Sequence, residues 1–358
     1  MWVADMDFPV AQEIQQAIQE RAAHPAFGYT AIPDTAYEAV LDWLSRRHSW
    51  TVSREWMLFC PGVVPSIALS INAFTLPGDK IIVQAPVYPP FFSVISDCGR
   101  QVVVNKLTCE EGRYRIDFDD LKNKIDRNTS MLLLCSPHNP VGRLWSSEEL
   151  LELGRICIEQ DVIILADEIH HDLVFPGRRH FPIASLSNAL SENTVTLLAP
   201  SKTFNLAGLH TSIAVISNEL LRRRFYSVLN SLSLRSINIF GLTATEAAYG
   251  SGDEWVDQMM DYVAGNFEFL NHYLSSRIPE VVAIRPESTY LVWLDCSGLS
   301  MDYRKIGEFT VKKARIALND GASFGPGGES FQRMNIACPR AKLQEALNRL
   351  EKAIFELR

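Results

Sequence analysis

The sequence predicts an α/β protein whose large domain is built on a mainly parallel sheet flanked by helices, with a smaller α+β domain beside it. Three observations carry that prediction. Short, nearly continuous apolar runs such as Met131–Cys135 and Val162–Ala166 are what a sheet covered on both faces requires. Amphipathic stretches alternate with these runs. Between the two just named, SSEELLELGRICIEQ places Ser146 and Glu149 at capping-box spacing and repeats apolar residues at Leu150, Leu153, Ile156 and Cys157. Finally, 358 residues, 47% of them hydrophobic, suffice for one large domain plus a smaller one.

In chain order, the N-terminus MWVADMDFPV carries acids where a secretory signal carries bases. Leu58-Phe59-Cys60 leads through Pro61-Gly62-Val63-Val64 into the helical SIALSINAFTL. A glycine just before a helix bares backbone N–H groups and the positive end of the dipole, which suits an anion. Four apolar runs then end in polar segments. Lys80–Gln84 ends in APVYPPF, Met131–Cys135 in SPHNPVG, Val162–Ala166 in DEIHHD, and Val195–Leu198 in APSK. An open parallel sheet delivers all four at its carboxyl edge, where ligands bind. Tyr88, Asn139, Asp167, His170 and Lys202 are therefore expected in one crevice. Further on, Tyr290-Leu291-Val292-Trp293-Leu294 reads as an alternating strand and KLQEALNRLEKAIFELR as a closing helix, the marks of a smaller unit. The expected division is 1–27 as an N-terminal segment contributing to the small domain, 28–255 as the large domain, and 256–358 as the C-terminal small domain.

A formal net charge of −8 argues against nucleic acid or an anionic membrane as partner. The run Arg222-Arg223-Arg224 reads as a solvated helix face, and no apolar run reaches the ~18 residues that span a bilayer. Seven cysteines, an odd number without a CxxC pair, point to a reduced, cytoplasmic protein rather than a disulfide scaffold or zinc site.

Taken singly, each candidate has a plainer reading. Asp167–Asp172 concentrates carboxylates and imidazoles as a metal cluster would, although strand-end neighbours alternate faces and His-Glu-x-x-His is missing. Ser201 and Lys202 could be a serine with a lysine base. Asn139-Pro140 could be a plain turn, Tyr88 a packed loop aromatic, Tyr29 a core residue and Arg333 a surface arginine.

Together the set suits one cofactor. Pyridoxal phosphate needs a lysine for its aldehyde, an acid against its ring nitrogen, a donor to its phenolate oxygen, an aromatic face and a phosphate cradle. The stretches WVADMDFP, FGYT, PGVVPS, PVYPPFF, SPHNPVGRLW, ADEIHHDL, APSKTFNLAGL, FGPGGE and RMNIACPR run in order from residue 2 to residue 340. Through them the chain resembles the fold-type-I pyridoxal phosphate enzymes, and within these the carbon–sulfur β-lyase branch, the cystathionine β-lyases. That resemblance implies a seven-stranded type of sheet in the large domain.

It also implies roles. Lys202 would be the Schiff-base lysine and the base for the α-proton, and Asp167 the partner of the ring nitrogen. Asn139, with His170 beside it, would serve the phenolate oxygen, and Tyr88 would stack on the ring. Val63, Val64 and Ser201 would hold the phosphate. Arg333 would grip the substrate carboxylate, with Asn139 and Ala4 alongside. Tyr29 would reach the phosphate of a neighbouring subunit, so a homodimer with a shared active site is expected.

The implied reaction is β-elimination on sulfur-containing L-amino acids, giving pyruvate, ammonia and a thiol. Transamination between an amino acid and a 2-oxo acid is the alternative, and a cofactor-binding protein acting through a regulatory partner is a third reading. Two departures stand out. Relatives carry a further arm ahead of WVADMDF, whereas Met1 directly precedes Trp2 here, the arm being either trimmed or lacking. Pro89 follows Tyr88 where some relatives have a second tyrosine, a change expected to slow lysis or alter substrate choice if that hydroxyl protonates the leaving sulfur.

Overall fold

The apolar runs become strands of one sheet in the computed structural model, which describes residues 1–357. These are β1 (Met57–Cys60), β2 (Lys80–Ala85) and β3 (Gln101–Lys106). A separate hairpin of β4 (Thr108–Glu110) and β5 (Arg113–Arg115) intervenes, followed by β6 (Thr129–Cys135), β7 (Ile163–Asp167), β8 (Thr194–Leu198) and β9 (Ser212–Val215). The large sheet has seven strands in the order β1-β9-β8-β7-β6-β2-β3. From β3 across to β8 every pairing is parallel, and β9 runs antiparallel to both of its neighbours. That reversed strand is absent from the sequence reading, because SIAV is as apolar as its parallel neighbours. Strands β7 and β8 are buried along almost their whole length, as their composition demands.

The capping box forms as spaced. Ser146 Oγ accepts from Glu149 N (3.2 Å), and Ser146 N donates to Glu149 Oε2 (2.8 Å), opening helix Ser147–Glu159. Its stripe Leu150, Leu153, Ile156 and Cys157 is buried against the sheet-side cluster containing Leu132, Leu134 and Ile164.

A second, antiparallel sheet follows, built from β10 (Val282–Ala283), β11 (Leu291–Asp295), β12 (Asn319–Asp320) and β13 (Phe331–Asn335) in the order β10-β11-β13-β12. Here one expectation is corrected. Tyr290–Leu294 does not alternate between core and solvent; all five residues are buried. Both faces of β11 are covered: Leu294 joins the cluster of helices Asp253–Arg277 and Arg340–Phe355, while Trp293 packs on Phe324 and Phe331 and donates to Tyr114 Oη (3.1 Å). Helix Asp253–Arg277 runs unbroken across residue 255. Of the basic run, Arg223 and Arg224 are exposed, while Arg222 donates to the carbonyls of Ile216 and Ser217. Among the described residues no helix is long and apolar enough to cross a membrane.

Candidate active site

At the carboxyl edge of the parallel strands lies a cavity of about 360 Å³, within the range of small-molecule sites. Ala4, Val63, Val64, Tyr88, Asn139, Asp167, His170, Ser201 and Lys202 all line it. Tyr88, Asn139, Asp167, His170, Ser201 and Lys202 arrive for the reason the strand order gives: β2, β6, β7 and β8 stop, and the next few residues turn into the cavity, while Val63 and Val64 follow β1 and Ala4 comes from the N-terminal segment. Arg333, on β13 of the second sheet, is not itself among the lining residues but reaches the cavity through Asn139, donating from Nη1 to its Oδ1 (3.0 Å). It is buried, which excludes the surface-arginine reading. Tyr29 stands apart, fully exposed to solvent and outside the cavity of its own chain.

The helix Val63–Phe74 points its N-terminus at the cavity. Gly62 precedes it at φ +126°, a conformation L side chains rarely adopt. The backbone N–H groups of Val63 and Val64 begin that helix and have no carbonyl one turn earlier, so an anion is the natural complement.

The N-terminal strap lies across the other side. Its carbonyls are held by side chains from β13 and from the loop between β8 and β9: Arg333 Nη2 donates to Trp2 O (2.9 Å), Asn335 Nδ2 to Val3 O (2.7 Å), and Asn205 Nδ2 to Met6 O (3.0 Å). Ala4 O accepts from Lys202 Nζ (2.6 Å) and from Tyr290 Oη (3.1 Å). The WVADMDF stretch is thus a wall of the site.

The charges in the cavity are conspicuously underpaired. Asp167 is buried and, among the described residues, accepts one hydrogen bond, from Ile169 N (3.1 Å). Burial pushes its carboxyl up to about 7, against the opposing pull of that hydrogen bond and of Lys202. Burial and the nearby Arg333 guanidinium lower the Lys202 amine from its ordinary value. Burial likewise brings the Arg333 guanidinium down to about 10, and its Nε has no hydrogen-bond partner. His170 is pushed down to about 3 by burial, then by the cations Lys202 and Arg333, and its Nδ1 is also without a partner. Buried polar atoms are normally satisfied, so these orphans mark places where a ligand supplies the missing partners.

The metal reading of Asp167–Asp172 fails on direction. Asp167 and His170 face this cavity, whereas Glu168, His171 and Asp172 turn away to meet His180 and His48. The turn that follows β7 separates them, since Asp167, Ile169 and His170 all line the cavity and the other three do not. Sequence reasoning missed Asn319, whose Oδ1 accepts from Arg333 Nη2 (2.6 Å), and the cavity residues Ile169, His210 and Thr211. Asn319 lies on a two-residue strand with no periodic signal. His210 and Thr211 follow the APSK segment closely enough that the same loop could have named them.

The family described as aminotransferase class I and II matches residues 3–350. The chain belongs to that family. It is 42% identical over 355 residues to cystathionine beta-lyase PatB of Bacillus subtilis (strain 168), covering 99% of this chain and 92% of the relative. It is similar in structure to cystalysin from Treponema denticola, which contains a pyridoxal 5'-phosphate cofactor, with TM-score 0.98, 36% identity, and coverage of 100% and 91%. The pyridoxal-phosphate-bound C–S lyase from Staphylococcus hominis superimposes with TM-score 0.93 at 33% identity, covering 99% of this chain and 90% of that one. The fold expected from the sequence is the one found, with a seven-stranded sheet of the fold-type-I kind.

Proposed function

We propose that this chain is a pyridoxal phosphate-dependent carbon–sulfur lyase, which cleaves sulfur from the β-carbon of L-amino acids to give pyruvate, ammonia and a thiol. The observation that carries it is the pairing of a half-buried lysine with a buried, underpaired aspartate across one cavity, with a buried arginine between the two sheets. The donor set fits the cofactor. Asp167 can hold a protonated ring nitrogen, the N-terminus of helix Val63–Phe74 with Ser201 a phosphate, Asn139 and His170 the phenolate side, and Tyr88 a ring face. When bound, the cofactor supplies an electron sink for charge developing on the substrate's α-carbon.

The chain's own residues do the rest. Lys202 has an amine lowered by burial, so it reaches its neutral, proton-accepting form at a lower pH than a solvated lysine. Asp167, once it faces a cation, gains the opposite charge that offsets the cost of burying its ionised form. Arg333 offers an unpartnered Nε to a carboxylate, and its planar fork fits that anion where an ammonium would not. The strap carbonyl of Ala4 receives the Lys202 proton-bearing nitrogen and holds it at the cavity wall. Elimination rather than transamination is supported by the likeness to the B. subtilis lyase over nearly the whole chain.

A homodimer completes the proposal. Tyr29 and the neighbouring Phe27 are exposed in an extended segment, as residues reserved for a second subunit would be.

The test is incubation of the loaded protein with L-cystathionine and no oxo acid, following pyruvate and free thiol, beside Lys202→Ala. Sustained release of both products by the native protein alone is expected. Turnover only after an oxo acid is added would reassign the chain as an aminotransferase.

A further inference from the structure

Behind the cavity, on the opposite face of the DEIHHD segment, lies a second buried cluster that the proposed chemistry does not use. Asp172 is its centre, with a fully buried carboxylate. Oδ1 accepts from Trp43 Nε1 (2.9 Å) and pairs with His48 Nε2 (2.8 Å), both residues on helix Asp34–His48. Oδ2 accepts from Thr203 Oγ1 (2.7 Å), and His171 Nε2 lies 3.2 Å away. Thr203 directly follows Lys202 in the one-turn helix Pro200–Thr203.

Ligand atoms of His48, His171 and Asp172 lie within 4.8 Å of one another, as a metal site would require. The carboxylate oxygens, however, are already engaged by partners from three separate elements. An ion would have to displace the His48 contact and compete with Trp43 and Thr203, so the cluster is a hydrogen-bond hub.

We propose that Asp172 is a positioning residue for Lys202: anchored by Trp43 and His48, its carboxylate fixes Thr203 and so aims the turn that carries Lys202 into the cavity. The link is short. Thr203 is buried, so its hydroxyl has no water to turn to if Asp172 is lost. Pro200–Thr203 is a single turn, closed by Phe204 N to Pro200 O (2.9 Å) and continued by Leu206 N to Ser201 O (2.9 Å), so a side-chain anchor on it bears directly on where Lys202 points. The inference rests on Lys202 being the lysine that meets the cofactor.

The experiment reads Lys202 directly. Reductive methylation of the cofactor-free protein, followed residue by residue by mass spectrometry, gives the labelling rate of Lys202 beside that of exposed Lys305. Thr203→Val, which keeps shape and removes the hydroxyl, should raise the Lys202 rate about five-fold and speed cofactor release from the loaded protein by a similar factor. Lys305 should be unchanged, and Thr203→Ser should restore both readouts to within about two-fold of the native values. Asp172→Asn should reproduce Thr203→Val. If Asp172→Asn does not fold, the two Thr203 variants carry the test alone. Unchanged labelling and unchanged release in a folded Thr203→Val protein would overturn the proposal. A native protein that takes up no pyridoxal phosphate would instead refute the cofactor reading, and the labelling comparison would still decide whether Asp172 positions the lysine.

Discussion

Asp167 and Asp172 are five residues apart, both buried, and held in opposite electrostatic states. Asp167 has one hydrogen bond among the described residues, and burial raises its carboxyl to about 7. Asp172 is buried as deeply, yet the charge of His171, the hydrogen bond from His48 and that from Thr203 hold it well below the usual carboxylate range. Burial alone therefore does not decide a carboxylate's state: at Asp172 the charge of His171 and the donors His48 and Thr203 outweigh it, whereas at Glu168 the N–H of Ile183 does not. The Asp172 carboxylate, with a partner on each oxygen, is scaffold. The unsaturated side is a site whose missing partners must come from outside the chain.

The contrast can be broken in order of effect. Removing the amine has the largest consequence: Lys202→Ala should lose about 10³-fold or more in lyase kcat while remaining folded, as steady-state pyruvate release would report. Asp167→Asn comes next, costing about 10²–10³-fold in activity by removing the charge that complements a cationic ring. Arg333→Lys loses the two-pronged grip and should raise KM about ten- to a hundred-fold with a smaller change in kcat.

Stability should move the other way at Asp167. In the cofactor-free protein its folded value lies above the unfolded 3.8, so the folded state holds a proton that the unfolded chain releases. That contribution is complete below pH ~4 and is lost as pH rises towards about 7. Glu168, also raised to about 7 by burial, adds in the same sense. Asp172 has the opposite sign, its contribution being present above pH ~4 and lost only on strong acidification. Cofactor-free Asp167→Asn should therefore melt above the native protein at pH 8, with the gap shrinking towards pH 4. Smallest is Tyr29→Phe, which should weaken cofactor retention only about five-fold, and only where the protein is dimeric, as equilibrium dialysis across the dimer dissociation range would show.

The sheet was legible because parallel strands buried on both faces write themselves as continuous apolar runs, and the site because each run ends in a residue with chemistry. Lys202, Asp167, Asn139 and Tyr88 fall into this class. What escaped has a common cause. The reversal at β9 is set by its neighbours, and Asn319 acts through a contact 14 positions away. Asp172 was visible in DEIHHD as one acid among several; its partners Trp43 and His48 lie more than a hundred residues earlier. Pairings of that range leave no local pattern. The buried Tyr290–Leu294 run also shows that apparent alternation does not settle exposure when a second layer covers the outer face.

The central claim is that Asp167 is left underpaired for a cationic ring. Carbon-13 NMR of the aspartate carboxyls, assigned with Asp167→Asn, can titrate Asp167 in cofactor-free and loaded protein. The account predicts a midpoint near 7 without cofactor, and a carboxylate that stays ionised well below that once pyridoxal phosphate is bound. An ordinary midpoint near 4 in the cofactor-free protein, or the same midpoint in both forms, would contradict it.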